Sequence, residues 1–222
     1  MWTPDGRFLL LGGPRQISWL PGDGDGKPKP LVDGPVRQIP LSMTPNGRTL
    51  VYRRFGAVTG PDLWTVPVET TKDGVRAGTP EAFRATSAFE GNARFSPDGQ
   101  WIGFFTGYKL NKVSVEGGAV APILDTVGAE AASWGGDDYI YTGFLVSGVM
   151  RIPSGGGPAI KVTDLEAGKD FVHAFPQLLP GGKAVLFTSY GLQPSPANAS
   201  VEVFSLSDHR RKLLVRGGVG GL

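Results

Sequence analysis

The stretch Arg94-Phe95-Ser96-Pro97-Asp98-Gly99-Gln100-Trp101-Ile102-Gly103-Phe104-Phe105 decides the fold of this chain. It consists of a short apolar segment, a cluster of turn residues and a second apolar segment. Pro97 suits the second position of a type I turn because its ring fixes φ, and Asp98 tolerates the bridge-region backbone that follows. Gly99 takes the positive φ needed to enter the next strand. The stretch therefore predicts a β-hairpin.

Variants of this hairpin recur along the chain. Each has a short turn followed by an apolar run, and they are Trp2-Thr3-Pro4-Asp5-Gly6, Met43-Thr44-Pro45-Asn46-Gly47, Trp134-Gly135-Gly136-Asp137-Asp138 and Leu178-Leu179-Pro180-Gly181-Gly182. The variant at Trp134 lacks the proline and one residue. A period of roughly 40 to 50 residues with four strands in each unit is typical of propeller blades. We therefore predict an all-β protein, a β-propeller of four-stranded antiparallel blades.

The repeat predicts about five blades in a single propeller domain over residues 1–222. The blades are a partial one over 1–34, then 35–88, 89–128, 129–168 and 169–216, with 217–222 as the start of a further inner strand. Stacked repeats need capping or ring closure. Either the tail pairs with the strand at Trp2 and closes a five-bladed ring, or the chain is part of a ring of six to eight blades. We favour the partial ring, because the glycine-rich tail is a poor closing strand.

Composition excludes several classes of protein. Hydrophobic residues make up 40% of the chain, and its 34 glycines and 19 prolines fall between apolar runs, as in a globular protein with many turns. The formal charge of +2 is small and scattered, so neither nucleic acid nor an anionic membrane surface is a predicted partner. The only basic run, Arg210 to Lys212, is interpreted as protection of an exposed edge strand.

Cysteine and membrane signals are missing from the sequence. Without cysteine there is no disulfide and no thiolate metal site. The longest apolar stretches, such as Phe8 to Leu11 and Ala184 to Phe187, are too short to cross a bilayer. No charged and apolar leader follows Met1, so we expect no direct membrane insertion by this segment and any export signal to lie outside it.

The hairpin motif at residues 2–6, 43–47 and 95–99 resembles the WD40-like β-propeller repeat of TolB-type proteins. Other stretches resemble the C-terminal sensor propellers of bacterial eukaryotic-like serine/threonine kinases, and these are Phe95 to Phe105, Lys112 to Gly118, Phe175 to Thr188 and Leu214 to Gly218. The resemblance covers nearly the whole chain. It implies a propeller with a binding or sensor role and a periplasmic or extracytoplasmic location in a bacterium. Kinase activity is not implied, since no kinase motif is present.

Catalytic patterns are absent from the sequence. It contains no Gly-x-Ser-x-Gly, no His-Glu-x-x-His, no phosphate-binding Gly-x-x-x-x-Gly-Lys-[Ser/Thr] and no cluster with metal-ligand spacing. We therefore predict no catalytic residues, no metal and no cofactor. Of the two histidines, His209 falls in a predicted turn and is expected to be solvated. His173 lies in an alternating stretch, where it either faces a central channel as a ligand or proton-switch group or is a hydrogen-bonded structural residue.

By analogy with other propellers, ligands are expected where the inner strands and their entry loops meet. The polar residues at such places form a candidate ligand-binding set only as a group: Gln38, Asn92, Arg94, His173 and Gln177. The first functional hypothesis is a non-enzymatic binding or sensor module for a protein, peptide or cell-envelope ligand. The alternative is the non-catalytic propeller of a prolyl-oligopeptidase-like hydrolase. A propeller lyase or lactonase is disfavoured, since it needs convergent histidines and carboxylates around a metal and the sequence has only two histidines.

Overall fold

The structure, a computed structural model, describes residues 1–56, 60–84, 90–125, 131–144 and 146–218. The chain divides into two compact units, which we call the N-terminal unit (1–107 with 111–121) and the C-terminal unit (108–110 with 122–222). Among the described residues the regular structure is β-strand, apart from one short 3₁₀ helix at Pro196–Asn198. The expectation of a single domain with the blade limits given above stays a prediction. Residues 219–222 of the predicted further strand lie outside the described residues.

The first sheet has the order β1-β2-β3 and contains β1 (Phe8–Gly12), β2 (Gln16–Pro21) and β3 (Lys29–Asp33). The backbone before β1 adds to it as an innermost strand, because Trp2 forms a bridge with Leu9. Backbone hydrogen bonds between Met1 and Leu10 extend this pairing. The first blade therefore has its inner strand at residues 1–2.

The second sheet has the order β4-β5-β6-β7, with β8 also paired to β6. Its strands are β4 (Gln38–Met43), β5 (Thr49–Phe55), β6 (Pro61–Thr71), β7 (Gly74–Ala77) and β8 (Glu81–Arg84). The end of this sheet is a hairpin, in which β7 folds back on the end of β6.

Three more sheets each have four strands. The orders are β12-β11-β10-β9, β13-β14-β15-β16 and β17-β18-β19-β20. The strands are β9 (Glu90–Phe95), β10 (Trp101–Thr106), β11 (Lys109–Ser114), β12 (Ala121–Asp125), β13 (Ala132–Trp134), β14 (Tyr139–Gly143), β15 (Val149–Pro153), β16 (Ile160–Lys161), β17 (Asp170–Leu178), β18 (Ala184–Gly191), β19 (Ala199–Ser205) and β20 (Arg211–Arg216).

The Ser96 turn has the predicted conformation. The Gly99 N–H donates to the Ser96 carbonyl at 2.9 Å, and Gly99 has φ +72°. The side chains add a second layer: Ser96 Oγ donates to Asp98 Oδ1 at 2.5 Å and accepts from the Trp101 N–H at 2.9 Å. Asp98 Oδ1 also accepts from the Gln100 N–H at 3.0 Å. This local bonding closes the hairpin within a few residues.

The same bonds recur in the two other complete turns. Thr3 Oγ1 donates to Asp5 Oδ1 at 2.7 Å, and Thr44 Oγ1 donates to Asn46 Oδ1 at 2.7 Å. Both hydroxyls also accept the backbone N–H that enters the next strand. The motif is therefore a repeated hydrogen-bonding unit as well as a repeated sequence.

Apolar faces of neighbouring sheets pack together inside each unit. One cluster of the N-terminal unit joins the first two sheets and centres on Leu10, Ile17, Leu50 and Tyr52. A second joins the sheet of β4–β8 to that of β9–β11 through Leu63, Phe95, Ile102 and Phe104. In the C-terminal unit, Tyr141, Val149, Val185 and Phe187 form a cluster between the last two sheets. Burying each large side chain contributes about 1.5 to 3 kcal/mol.

The basic run at 210–212 differs from its interpretation as a purely exposed edge. It does lie at the start of the edge strand β20, and Arg210 is exposed. Arg211, however, turns inward and pairs with two buried carboxylates. The reason is that successive side chains of a strand point to opposite faces, and Arg211 is on the inner face.

Candidate functional site

Three of the innermost strands share an irregularity that sequence periodicity could not show. The pairing register shifts between Pro40 and Ser42 in β4, between Gly91 and Arg94 in β9, and between Ala174 and Gln177 in β17. In β9 and β17 the bulged residues Asn92 and Phe175 have positive φ, +52° and +51°. A β-bulge adds one residue to one strand and changes the face of the side chains beyond it.

Gln38 and His173 occupy the same place relative to their turns. Each is the sixth residue before the first turn residue, Thr44 and Leu179 respectively. Both side chains are buried, at 1% and 0% exposure. Each also lies against a glycine at the end of the neighbouring sheet's second strand, since a Cβ on Gly12 would meet the Gln38 carbonyl at 2.7 Å. A Cβ on Gly143 would likewise meet the His173 carbonyl.

Gln38 binds the backbone of the preceding sheet. Its Nε2 donates to the carbonyl of Arg15 at 3.2 Å and to that of Val32 at 3.4 Å. Its own backbone pairs with Gly13 in both directions. The amide therefore fastens β4 to the turn before β2 and to β3, which leaves its side chain no free surface.

His173 is enclosed in the same way but by side chains. Thr163 Oγ1 lies 2.8 Å from Nδ1, and Asp170 Oδ2 lies 3.3 Å from Nε2. Because Thr163 Oγ1 accepts from the Val149 N–H at 2.8 Å, the bonding pattern is satisfied when threonine donates to Nδ1 and Nε2–H donates to Asp170. Burial, followed by the positive charge of Arg211, lowers the pKa of His173. The imidazole is therefore neutral at pH 7.

Asp170 is the centre of a buried ionic network. Its carboxylate accepts hydrogen bonds from Ser189 Oγ at 2.8 Å, from the Glu166 N–H at 2.9 Å and from Arg211 Nη2 at 3.1 Å. Burial by itself raises the pKa of this carboxyl, but the bonds from Arg211, Glu166 and Ser189 outweigh it and hold the pKa well below its usual range. Asp170 is therefore ionised at every physiological pH.

Arg211 joins that carboxylate to a second one. Its guanidinium also donates to Glu202, through Nη2 at 3.0 Å and through Nε. Ser200 Oγ donates to Glu202 Oε1 at 2.7 Å. Burial opposes the charged form of Arg211, yet Asp170 and Glu202 raise its pKa. The Glu202 pKa is lowered, because the bonds from Arg211 and Ser200 outweigh burial.

The chain Thr163–His173–Asp170 has the connectivity of a nucleophile, base and acid. Its members are only 2%, 0% and 7% exposed, however, and Thr163 Oγ1 is occupied by the Val149 N–H. A nucleophile needs an accessible oxygen and space for a substrate beside it. This arrangement is therefore a structural network that fastens β17 to its surroundings.

A different register position meets open space. The second residue before each turn is half-buried or exposed in four inner strands, and these residues are Ser42, Arg94, Ser133 and Gln177. Of the predicted set, Gln177 is exposed, Asn92 is half-buried at its bulge and Arg94 is half-buried. The five predicted residues therefore divide into two buried fasteners and three that reach a surface. Their shared role as a ligand site stays a prediction.

Arg94 is the predicted residue with the least ordinary surroundings. Nη1 donates to the Leu41 carbonyl on β4 and lies 3.4 Å from the Ala93 carbonyl. On the same strand pair, Ser42 Oγ accepts from the Phe95 N–H at 3.1 Å. Burial lowers the pKa of Arg94 to about 10, so the guanidinium keeps its charge at neutral pH.

The N-terminal unit also carries an open cleft of about 800 Å³ at the end where its turns lie. Two of the proline turns form its sides, and Arg48 and Glu69 contribute charge. In the part of the chain that is described, no group of three or more His, Cys, Asp or Glu side chains is arranged to hold a metal ion. Nor does any helix of that part have the length and apolarity to span a membrane.

Sequence reasoning missed most of the polar network. Thr163, Asp170, Ser189, Glu202 and Arg211 gave no motif, since they are spread over 49 positions. The spacing of Asp170 and His173, three residues apart on one strand, was the only local signal. Ser42 also passed unnoticed.

No family model matches the chain, and no curated protein matches it. Among solved structures it is similar to a putative TolB from Agrobacterium tumefaciens, with a TM-score of 0.75 and 18% identity over 96% of this chain and 78% of that one. It is also similar to TolB from Acinetobacter baumannii, with a TM-score of 0.72 and 18% identity over 94% of this chain. A third similar structure is a puromycin-hydrolyzing peptidase of Mycobacterium tuberculosis, with a TM-score of 0.66 and 18% identity over 98% of this chain.

The chain spans 52% of the Acinetobacter protein and 36% of the peptidase. At this level of identity the likeness concerns the fold. It confirms the predicted architecture: the chain has the all-β, TolB-like propeller fold, with about five blades of antiparallel strands.

Proposed function

We propose that this chain is a non-enzymatic binding module that recognises a protein, peptide or cell-envelope ligand. The observation that carries the proposal is the enclosure of Thr163, His173 and Asp170. They form a nucleophile–base–acid chain, and all three side chains are buried. A rigid scaffold whose nucleophile–base–acid chain is enclosed is suited to binding through its surface loops.

A sensor role in a bacterial serine/threonine kinase is the finer form of this proposal. The stretches at Phe95 to Phe105 and Phe175 to Thr188 support it by their resemblance to kinase sensor propellers. The same resemblance supports a periplasmic or extracytoplasmic location. The coding sequence on either side of residues 1–222 tests this form: a kinase domain and a membrane span would support it.

The alternative is the propeller of a prolyl-oligopeptidase-like hydrolase. The specific observation in its favour is the similarity to the puromycin-hydrolyzing peptidase, of which this chain matches 36%. A neighbouring domain with a Gly-x-Ser-x-Gly motif would support this alternative and contradict the kinase form. In both cases the propeller itself carries out no chemistry.

The binding proposal is tested on the purified chain. We expect selection from a random peptide library to enrich certain sequences, and calorimetry to confirm that these peptides bind. We expect no hydrolysis of chromogenic esters or fluorogenic peptides. Gln177→Ala, an exposed inner-strand change, is compared with Arg210→Gln on the outer edge. Reproducible hydrolysis that Gln177→Ala abolishes and Arg210→Gln leaves intact would overturn the proposal, as would a library that yields no binding sequence.

A further inference from the structure

Arg94 holds a charge that the described protein does not neutralise. Its recorded hydrogen bonds go to two backbone carbonyls, both from Nη1, and no carboxylate of a described side chain lies within ion-pair distance. The donors on Nε and Nη2 have no acceptor among the described residues. A partly desolvated cation without a partner is costly, because burial removes water and supplies no opposite charge.

Arg211 shows how this protein treats a comparable guanidinium when its role is structural. It is 19% exposed at the side chain and is matched by both Asp170 and Glu202. All three of its nitrogens donate to carboxylate oxygens. Arg94 lacks any such match in the described residues, so its charge is available to a group from outside the chain.

Ser42 supplies a second donor next to this cation. It lies on β4, beside the Leu41 carbonyl that holds Arg94. Its Oγ accepts from the Phe95 N–H, and no acceptor for its own proton is recorded. A planar guanidinium fork and a nearby hydroxyl form a donor set that suits two oxygens of one anionic group.

We propose that Arg94 and Ser42 bind a carboxylate of an acidic peptide on the inner-strand surface of the N-terminal unit. The inference rests on the proposed binding function and names the chemistry of its ligand. The carbonyl of Leu41 holds one end of the guanidinium, so that its remaining N–H groups are oriented before the ligand arrives. A preoriented fork loses less side-chain entropy on binding than a free surface arginine.

The test measures the affinity of the whole chain for N-acetyl-pentaglutamate by calorimetry at low ionic strength. Arg94→Gln is expected to weaken binding by at least about tenfold, since a charge-assisted fork is lost. Arg94→Lys, which keeps the charge without the fork, is expected to fall between Arg94→Gln and the unaltered chain. Arg76→Gln, an exposed arginine of β7 in the same unit, is the matched control and is expected to change affinity less than about twofold.

Three results would overturn the inference: equal loss in Arg94→Gln and Arg76→Gln, equal binding of pentaglutamine, or displacement by inorganic phosphate at lower concentration than by pentaglutamate. If Arg94→Gln does not fold, the unfolding temperature of the unaltered chain tests the inference instead. Pentaglutamate must raise that temperature, and pentaglutamine must not. Should library peptides bind with an affinity that Arg94→Gln leaves unchanged, this inference fails and the proposed binding function stands.

Discussion

The two units of the chain hold their strand ends in different ways. In the N-terminal unit, three turns at Thr3, Thr44 and Ser96 repeat one set of hydroxyl and carboxylate or amide bonds between residues at most five apart. In the C-terminal unit the turns are reduced, since Gly135 and Leu179 replace the hydroxyl residues. There a network joins Asp170 to Arg211, 41 positions away.

The difference shows that the same sheet architecture can be held either by local bonds at the turns or by a long-range ionic network. The reduced turns keep the backbone bonds, because Leu179 N–H donates to the Ala184 carbonyl and Gly182 N–H to the Leu179 carbonyl. The turn at Leu179 loses the side-chain bonds, whereas the turn at Gly135 keeps one of them, from the Tyr139 N–H to Asp137 Oδ1 at 3.3 Å. The C-terminal unit therefore depends on long-range bonds between ionised groups, and the N-terminal unit on short-range side-chain bonds at each turn, whose acceptors are Asp5, Asn46 and Asp98.

Arg211→Met gives the largest expected effect. It leaves Asp170 and Glu202 buried without their cation, and removal of one partner from a buried ionic network costs about 3–5 kcal/mol. Chemical denaturation measures the loss of unfolding free energy. Arg210→Met, at an arginine side chain 87% exposed, is the control and is expected to change stability by less than about 0.5 kcal/mol. Equal effects of the two changes would show that the network does not hold the C-terminal unit.

Ser96→Ala tests the local bonds of the N-terminal unit. Ser96 is 3% exposed, and its Oγ bonds to Asp98 and to the Trp101 N–H, so we expect a loss of about 1–2 kcal/mol. Amide hydrogen exchange should report the loss at Trp101 and its neighbours. Thr79→Ala, at an exposed residue of the same unit, is expected to be neutral. Equal stability of the Ser96→Ala and Thr79→Ala proteins would show that the side-chain bonds of Ser96 do not stabilise the turn.

Acid should weaken the C-terminal unit through His173. Its pKa is lowered in the folded state, so the unfolded state binds more protons and the stability from neutral burial is lost as pH falls below 6.5. One such group reduces the unfolding free energy by up to about 1 kcal/mol between pH 6.5 and 5.5. The lowered pKa values of Asp170 and Glu202 add a further loss below their ordinary values of 3.8 and 4.5.

His173→Gln, which imitates Gln38, should flatten the dependence between pH 6.5 and 5.5. His209→Gln, at an exposed histidine, should leave it unchanged. Denaturant titrations at the two pH values provide the measurement. If the slope persists in His173→Gln and disappears in His209→Gln, the assignment to the buried imidazole is wrong.

Asp138→Gly gives the smallest expected effect. Asp138 has φ +64°, where the other turns have Gly6, Gly47, Gly99 and Gly182 with φ between +68° and +72°. Relief of that backbone conformation is partly offset by the greater freedom of glycine in the unfolded chain, so we expect a gain of about 0.5 kcal/mol. The reverse change, Gly182→Ala, should destabilise the fold. A loss of stability in Asp138→Gly would indicate that the exposed carboxylate contributes to the turn.

The sequence predicted those parts of the fold that neighbouring residues determine. The hairpin at Ser96 and its repeats were recognised because proline, Asx and glycine act within a few positions. The strands between them followed from short apolar runs. The β7 hairpin was not recognised, since the polar residues at 70–79 match a loop as well as a strand.

The candidate site was predicted less well, for two physical reasons. The bulge at Phe175 interrupts the alternation on which the orientation of His173 was judged, and a bulge is not visible in residue types alone. Arg211 was interpreted, like Arg210 and Lys212, as an exposed residue of an edge strand, because its partners lie 9 and 41 positions away. Arg94 was included in the candidate set, whose ligand-binding role stays a prediction, and nothing local indicated its contact with Leu41.

Asn46, in the second turn, is followed by Gly47 and is therefore a site where deamidation can be timed. An asparagine followed by glycine ages by attack of the glycine nitrogen on the side-chain amide, which releases ammonia. Here the Gly47 N–H is held on the Thr44 carbonyl at 2.8 Å, so the attack requires the turn to open. The aspartate produced would present the same Oδ1 acceptor that Asp5 and Asp98 present in the sister turns. The rate of this ageing therefore reports how often the turn opens. Water then opens the cyclic imide to isoaspartate or to aspartate, and only the aspartate keeps the acceptor position that Asn46 Oδ1 already occupies in the turn.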